Sequence, residues 1–280
     1  MNVSNLPLPT LSARLAGTLD IITDDALART TGVRVAFTGT SGGVSEGPYA
    51  SLNLATHVGD SFAAVEENRR RLLHALDASD VELVVPNQVH GTNVVSIESR
   101  STTVVERARV DAERGADALV VGVPDVAALL CFADCVPVVI VSPTGRFAVV
   151  HAGWRGVVGG VAEQALEVML EAEASLFGGR ESAAASYNVY IGPHIHAECF
   201  ETGFDVHARF VDLFGDQCAF DDRRIDLSKA LSVGLARKGV DACRIVDAGV
   251  CTVCGGQGHY SYRASGGTCG RHGALAFRRV

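Results

Sequence analysis

The sequence predicts a single domain that mixes β-strands with α-helices. Three observations support this. Two β-branched runs, Val136–Val141 and residues 146–151, flank a Pro143-Thr-Gly turn and read as a hairpin; their unbroken apolar character implies burial on both faces. Several stretches carry apolar residues at helical spacing, the clearest at Val157, Val161, Ala165 and Val168. No repeat, low-complexity stretch or linker divides the 280 residues, and 48% of them are hydrophobic, enough for a sizeable core.

Charge narrows the classes of function. The formal net charge is −8, and no block of Lys or Arg stands out. Nucleic-acid affinity comes mainly from cations that displace counterions at phosphates, so an acidic chain points to small-molecule chemistry instead. The first residues lack the basic start and apolar centre of a signal peptide. No apolar run approaches the ~18 residues that a membrane helix needs. A cytoplasmic protein with no membrane partner is therefore expected, and its eight cysteines read as thiols or metal ligands rather than disulfides.

In chain order, residues 1–30 are expected to be weakly structured, with a short helix over 12–28. Val33–Thr38 is a strand feeding a loop rich in Gly and Pro at 39–49, where backbone can approach a ligand closely. Residues 63–76 form a surface helix, with Val65, Leu72, Leu73 and Leu76 inward. A short strand at 81–85 precedes His90, and the charged stretch 99–115 is a loop or lid. Strands follow at 117–121 and 126–132, then the hairpin, then a helix running to about 174. Beyond it come a strand at 187–191, helices at 204–214 and 226–238, and a short strand at 244–246. A loop-rich tail closes with a strand at 274–277.

Three constellations carry metal-capable side chains. His90, Cys135 and His151, each placed near a strand end, offer two imidazoles and a thiolate. That set leaves a fourth zinc position open, as catalytic sites do, though spacing alone does not bring the three together. Cys251-x2-Cys254 with His259, Cys269 and His272 resembles a closed, structural zinc knuckle, and by spacing it is the stronger signal. His194-x-His196 would share one face if that stretch were a strand. A fourth reading makes Cys135 a nucleophile with His151 as its base, in a cysteine hydrolase.

A set of ordered motifs then becomes specific: Gly42-Gly-Val-Ser, Ser51-Leu-Asn-Leu, Asn68-Arg, Asn87-Gln-Val-His-Gly, Ala133-Asp-Cys, His151-Ala-Gly-Trp-Arg-Gly, Ile191-Gly-Pro and Tyr260-Ser-Tyr-Arg. Together they resemble the YfiH-like laccase-domain family of multicopper-polyphenol-oxidase-like proteins, across residues 33–277. The resemblance implies an α+β fold in one domain, a two-sheet core with helices packed outside in α/β/β/α layers. It implies a zinc site, with copper also reported, at His90, Cys135 and His151. It also implies purine nucleoside chemistry: phosphorolysis of adenosine, inosine and methylthioadenosine, and deamination of adenosine. Editing of peptidoglycan precursors is a further activity attributed to bacterial members. The laccase label itself fits poorly, because one three-ligand site lacks the several coppers needed for four-electron oxygen reduction.

Two departures stand out. Members carry Arg two residues before the first glycine of Gly-Gly-Val-Ser, where this chain has Thr40, and the Thr-Gly-Arg motif is interrupted by Cys269. For substrate contacts the candidates are Arg155 and Arg263 toward phosphate, and Gln88 and Asn53 toward base or ribose. Asp134 is the candidate proton carrier, and Trp154 is assigned to packing. The implied partners are a purine nucleoside and phosphate; no oligomeric state is assigned.

Overall fold

Unbroken runs of Val, Ile, Leu and Ala fill the centre of the structure. It is a computed structural model, describing residues 5–256 and 258–279. The N-terminal segment forms a hairpin of β1 (Ser12–Ala16) and β2 (Leu19–Thr23), then α1 (Asp25–Thr31), whose N-cap Asp24 accepts hydrogen bonds from the N–H groups of Ala26 and Leu27. For residues 5–30 the weakly structured segment expected there, with its helix over 12–28, is thus corrected; the first four residues of that expectation lie outside the described residues. The hairpin is an edge strand pair whose mixed polarity hides its alternation.

β3 (Val33–Thr38) leads through the glycine-rich loop to α2 (Phe62–Ala75), then β4 (Glu82–Val84) and β5 (Val94–Ile97). The expected lid is instead a helix, α3 (Thr102–Glu113), which buries Val105, Ala108 and Ala112 along one stripe. β6 (Ala118–Val121), β7 (Val126–Phe132), β8 (Val136–Val141) and β9 (Phe147–Ala152) follow, buried at every position. The single helix expected next is two, α4 (Trp154–Gly159) and α5 (Val161–Glu173). Gly160 separates them with φ of 77°, a left-handed conformation that glycine adopts without a steric cost. The remainder comprises α6 (Arg180–Ser186), β10 (Asn188–Ile191), α7 (Phe204–Phe214), α8 (Leu227–Arg237), β11 (Ile245–Asp247) and β12 (His272–Arg278).

Among the described residues the strands form two six-stranded sheets, ordered β1-β2-β3-β12-β7-β4 and β11-β10-β8-β9-β6-β5. Pairing is antiparallel except for β4 with β7, β5 with β6 and β10 with β11. The sheets stack through Phe37, Leu130 and Phe132 on one side and Val139, Phe147 and Val149 on the other. The outer face of the first sheet packs under Leu72 and Leu76. The outer face of the second is covered by α4 to α8, with Leu166, Met169, Phe210 and Leu231 inward. This is the expected α+β fold in one domain, with α/β/β/α layers. Burying each large aliphatic or aromatic side chain in these layers stabilises the fold by about 1.5–3 kcal/mol. No described helix is long and apolar enough to cross a membrane.

Candidate metal centre

The chain crosses from the first sheet to the second between β7 and β8, and Cys135 lies on that crossing. His151 is on β9, next to β8 in the same sheet, paired with Pro137. His90 lies not at a strand end but in the loop between β4 and β5, with φ of 58°, a left-handed conformation uncommon for a residue with a side chain. The structure brings the three together: one ligand atom from each lies within 4.8 Å of the others. The Cys135 Sγ and His90 Nε2 are 3.8 Å apart.

A residue missed in the sequence organises this convergence. The fully buried Asp117 carboxylate accepts the backbone N–H groups of Val89 (3.2 Å), His90 (3.0 Å) and Gly91 (2.7 Å). The same carboxylate lies 2.7 Å from His151 Nδ1. One carboxylate thus fixes both the His90 loop and the His151 ring, leaving His151 Nε2 facing Cys135. Carboxylate support of this kind is the usual second layer of a histidine metal site. Gly153 completes the packing, since a Cβ there would lie 2.8 Å from His90 Cδ2 and 3.2 Å from Cys135 Sγ. The glycine of His151-Ala-Gly therefore reflects a close approach to His90 and Cys135.

Electrostatics follow from this geometry. Burial pushes the Cys135 thiol up, but the charge of His151 and hydrogen bonds from His151 and His90 outweigh it and bring the thiol down to about 6. For His151, burial disfavours the charged ring, while the Cys135 thiolate and Asp117 more than offset that and raise it to about 9. Cys131 differs: burial alone pushes its thiol up to about 11. A thiolate and two imidazoles, preorganised and with an outer carboxylate, suit zinc or another borderline cation.

The centre opens into a cavity of about 530 Å³, within the range of small-molecule sites. Its lining includes His57, Asp134, Phe200, Tyr262, Arg263 and Arg271. Gln88 also lines it, but its amide is engaged by the Cys131 backbone, with both contacts at 2.8 Å. Asp134 accepts from Thr252 Oγ1 (2.6 Å) and the Arg263 N–H (2.7 Å). The Arg263 guanidinium donates to the carbonyls of Cys199 and Glu201.

Two predicted contacts lie elsewhere. Arg155 is outside the lining, its guanidinium 4.2 Å above the Trp154 ring. Asn53 is fully buried and bonds Ala55, Asp60 and the Arg271 N–H. It therefore reaches the cavity only through Arg271. Asn68 knots the same region together, donating to Ser45 Oγ and to the carbonyls of Ser51 and Asn53. The Thr40 carbonyl accepts from the N–H groups of Ser51 and Leu52. Asp117 and His57 were not singled out from sequence, and Arg271 was noted only as the end of the interrupted Thr-Gly-Arg motif. Asp117 left a signal of its own, an acid opening an all-apolar strand.

The other two constellations are rearranged. Cys251 and Cys254 meet Cys199 and Glu198, not His259, Cys269 or His272. His259 instead sits edge-on to His272, and Cys269 packs with Ala133 and Tyr260. His194 and His196 lie in a loop, their rings 4.8 Å apart and grouped with Asp247.

A family model described as multi-copper polyphenol oxidoreductase laccase matches residues 34–279. A purine nucleoside phosphorylase of Pseudomonas aeruginosa is 34% identical over 253 residues, spanning 88% of this chain and 93% of that protein. An adenosine deaminase from an unknown prokaryotic organism is 34% identical over 245 residues, spanning 84% and 90%. Among solved structures, YlmD of Geobacillus stearothermophilus superposes with a TM-score of 0.80 at 28% identity, covering 99% of this chain and 100% of that one. YfiH of Bacillus licheniformis gives 0.82 at 26% identity, covering 95% and 99%. The chain belongs to the laccase-like, multi-copper polyphenol oxidoreductase family that these YfiH- and YlmD-type proteins represent.

Proposed function

We propose that the protein is a metal-dependent purine nucleoside enzyme. It would cleave adenosine, inosine and methylthioadenosine with phosphate and deaminate adenosine with water. The observation that carries this reading is the convergence of His90, Cys135 and His151 at a nucleoside-sized cavity walled by Arg263 and Arg271. The activities named for the relatives supply the reaction classes. Zinc, or copper, held by the three donors would supply Lewis acidity at an open coordination position.

The chain's own residues have separable tasks. Arg271 and Arg263 offer cationic groups to phosphate, a role expected from sequence of Arg155 and Arg263. Phosphorolysis joins a phosphate oxygen to the anomeric carbon as the bond from that carbon to the base breaks. Phe200 and Tyr262 offer aromatic faces to the purine, each with an arginine 5.7 Å from its ring centre. Deamination needs a group that takes a proton from water and returns it to departing ammonia. Loss of hydration at the cavity wall, then the Arg271 charge, lowers the His57 pKa, so its ring is neutral at pH 7 and free to accept. Asp134 is committed to Thr252 and Arg263, which suits it to holding the wall.

Metal-loaded protein given adenosine and phosphate should release adenine, ribose 1-phosphate and inosine, followed by chromatography. Absence of all three would remove the reading.

One observation favours a second reading. Cys135, His151 and Asp117 form a thiol–imidazole–carboxylate row, the arrangement of a cysteine hydrolase acting, for example, on a peptidoglycan precursor. The metal-free protein should in either case show a reactive thiolate. A pKa of about 6 keeps Cys135 ionised above that pH, so iodoacetamide labelling should rise with a midpoint near 6. Chelation separates the readings: it should abolish turnover by the metal enzyme and leave a cysteine hydrolase active.

A further inference from the structure

Outside the described centre, the densest group of metal-capable atoms is on the far side of the Phe200–Arg263 wall. Cys199, Cys251 and Cys254 bring three sulfurs together, and Glu198 adds a carboxylate; their donor atoms all lie within 4.8 Å of one another. We propose that these four residues form a second metal centre, structural in type, for a thiophilic divalent cation such as zinc.

The local backbone is built for this. Cys251-Thr-Val-Cys-Gly folds into a tight turn closed by the Gly255 N–H donating to the Cys251 carbonyl at 2.9 Å. Gly255 is required there, because a Cβ would fall 2.3 Å from that carbonyl oxygen. The turn sets both sulfurs toward the 198–199 segment. The His196 N–H donates to Cys251 Sγ at 3.4 Å, and backbone N–H groups aimed at a sulfur support the thiolate form that binds metal. Cys254 Sγ is 3.4 Å from Glu198 Oε1, so the carboxylate already faces the thiols. Three thiolates and one carboxylate make a closed tetrahedral set, and soft sulfur ligands select zinc over magnesium or calcium.

The consequence reaches the first cavity without adding a group to it. Arg263 Nη1 donates to the Cys199 carbonyl at 3.1 Å, and the Arg263 N–H holds Asp134. A metal bridging Cys199 to Cys251 and Cys254 would lock the 194–201 loop to the C-terminal loop that carries Arg263.

The test is metal content of the full-length protein, loaded with zinc under reducing conditions and dialysed. Wild type should hold two equivalents. Cys135→Ala should hold one, Cys254→Ser one, and the double variant none. Cys254 is exposed, so Cys254→Ser should keep its fold by circular dichroism; Cys199→Ala is the second variant should it not. Cobalt-loaded Cys135→Ala should show a thiolate-to-cobalt charge-transfer band that disappears when Cys254→Ser is added. One equivalent in wild type, absent from Cys135→Ala, would overturn the proposal. So would a disulfide among the three cysteines in the loaded protein.

Discussion

Cys135→Ala is expected to lower kcat for adenosine and inosine turnover on the order of 10³-fold or more and to remove one equivalent of zinc. The size of the effect follows from the site's economy. Cys135 is the one anionic donor in a set of three, and His90 and His151 both face it. Without its charge, two neutral imidazoles remain to hold a divalent cation. Thermal unfolding of the variant should stay cooperative, since the sheets are packed by other residues. Steady-state kinetics with parallel metal analysis checks this. A variant with wild-type kcat would end the assignment of Cys135 to the reacting centre.

Asp117→Asn is expected to be the most damaging change outside the ligand set, although Asp117 meets neither metal nor substrate. Its carboxylate accepts three backbone N–H groups and faces His151 Nδ1 from full burial. An amide turns one of those acceptors into a donor. Breaking a buried, hydrogen-bonded charge pair typically costs about 3–5 kcal/mol. Loss of an outer-layer carboxylate typically weakens metal binding about 10–100-fold. Burial alone would raise the Asp117 pKa, but His151 and the backbone N–H groups leave it net lowered. A depressed carboxylate contributes stability above its unfolded value and loses it as pH falls through its folded value. Denaturant unfolding should therefore show a gap between wild type and Asp117→Asn at neutral pH that closes in acid. A zinc competition titration measures the affinity loss. Equal stability at pH 7 would show that the charge is not needed.

The layers were legible where one physical signal dominated. β8 and β9 announced themselves because continuous β-branched burial leaves few alternatives. α3 was hidden because its buried stripe is Val105, Ala108 and Ala112, and two alanines do not stand out among charged neighbours. β1 and β2 pair at a sheet edge, where one face meets solvent and composition carries little information. The three candidate metal donors were legible as residue types, and the family motifs ordered them. Their convergence was not, because it depends on Asp117 joining the His90 loop to β9 across two strands. The tail cysteines show the opposite error. The Cys-x2-Cys pair was read as half of a zinc knuckle whose partners were sought downstream, while the fold supplies Glu198 and Cys199 from upstream. Asn53 was misplaced for a similar reason: a polar residue in a strong motif can serve backbone rather than ligand.

The position of β12 has a consequence for how the chain is made. This strand lies between β3 and β7, pairing antiparallel with both, although long stretches of chain separate it from each. During synthesis the β1-β2-β3 half and the β4-β7 half of the first sheet cannot join until Arg278 has left the ribosome. Each half then presents an open edge, the kind of surface on which nascent chains associate. The second sheet has no such gap and can close earlier. The second sheet can therefore close first, with β12 acting as the keystone of the first.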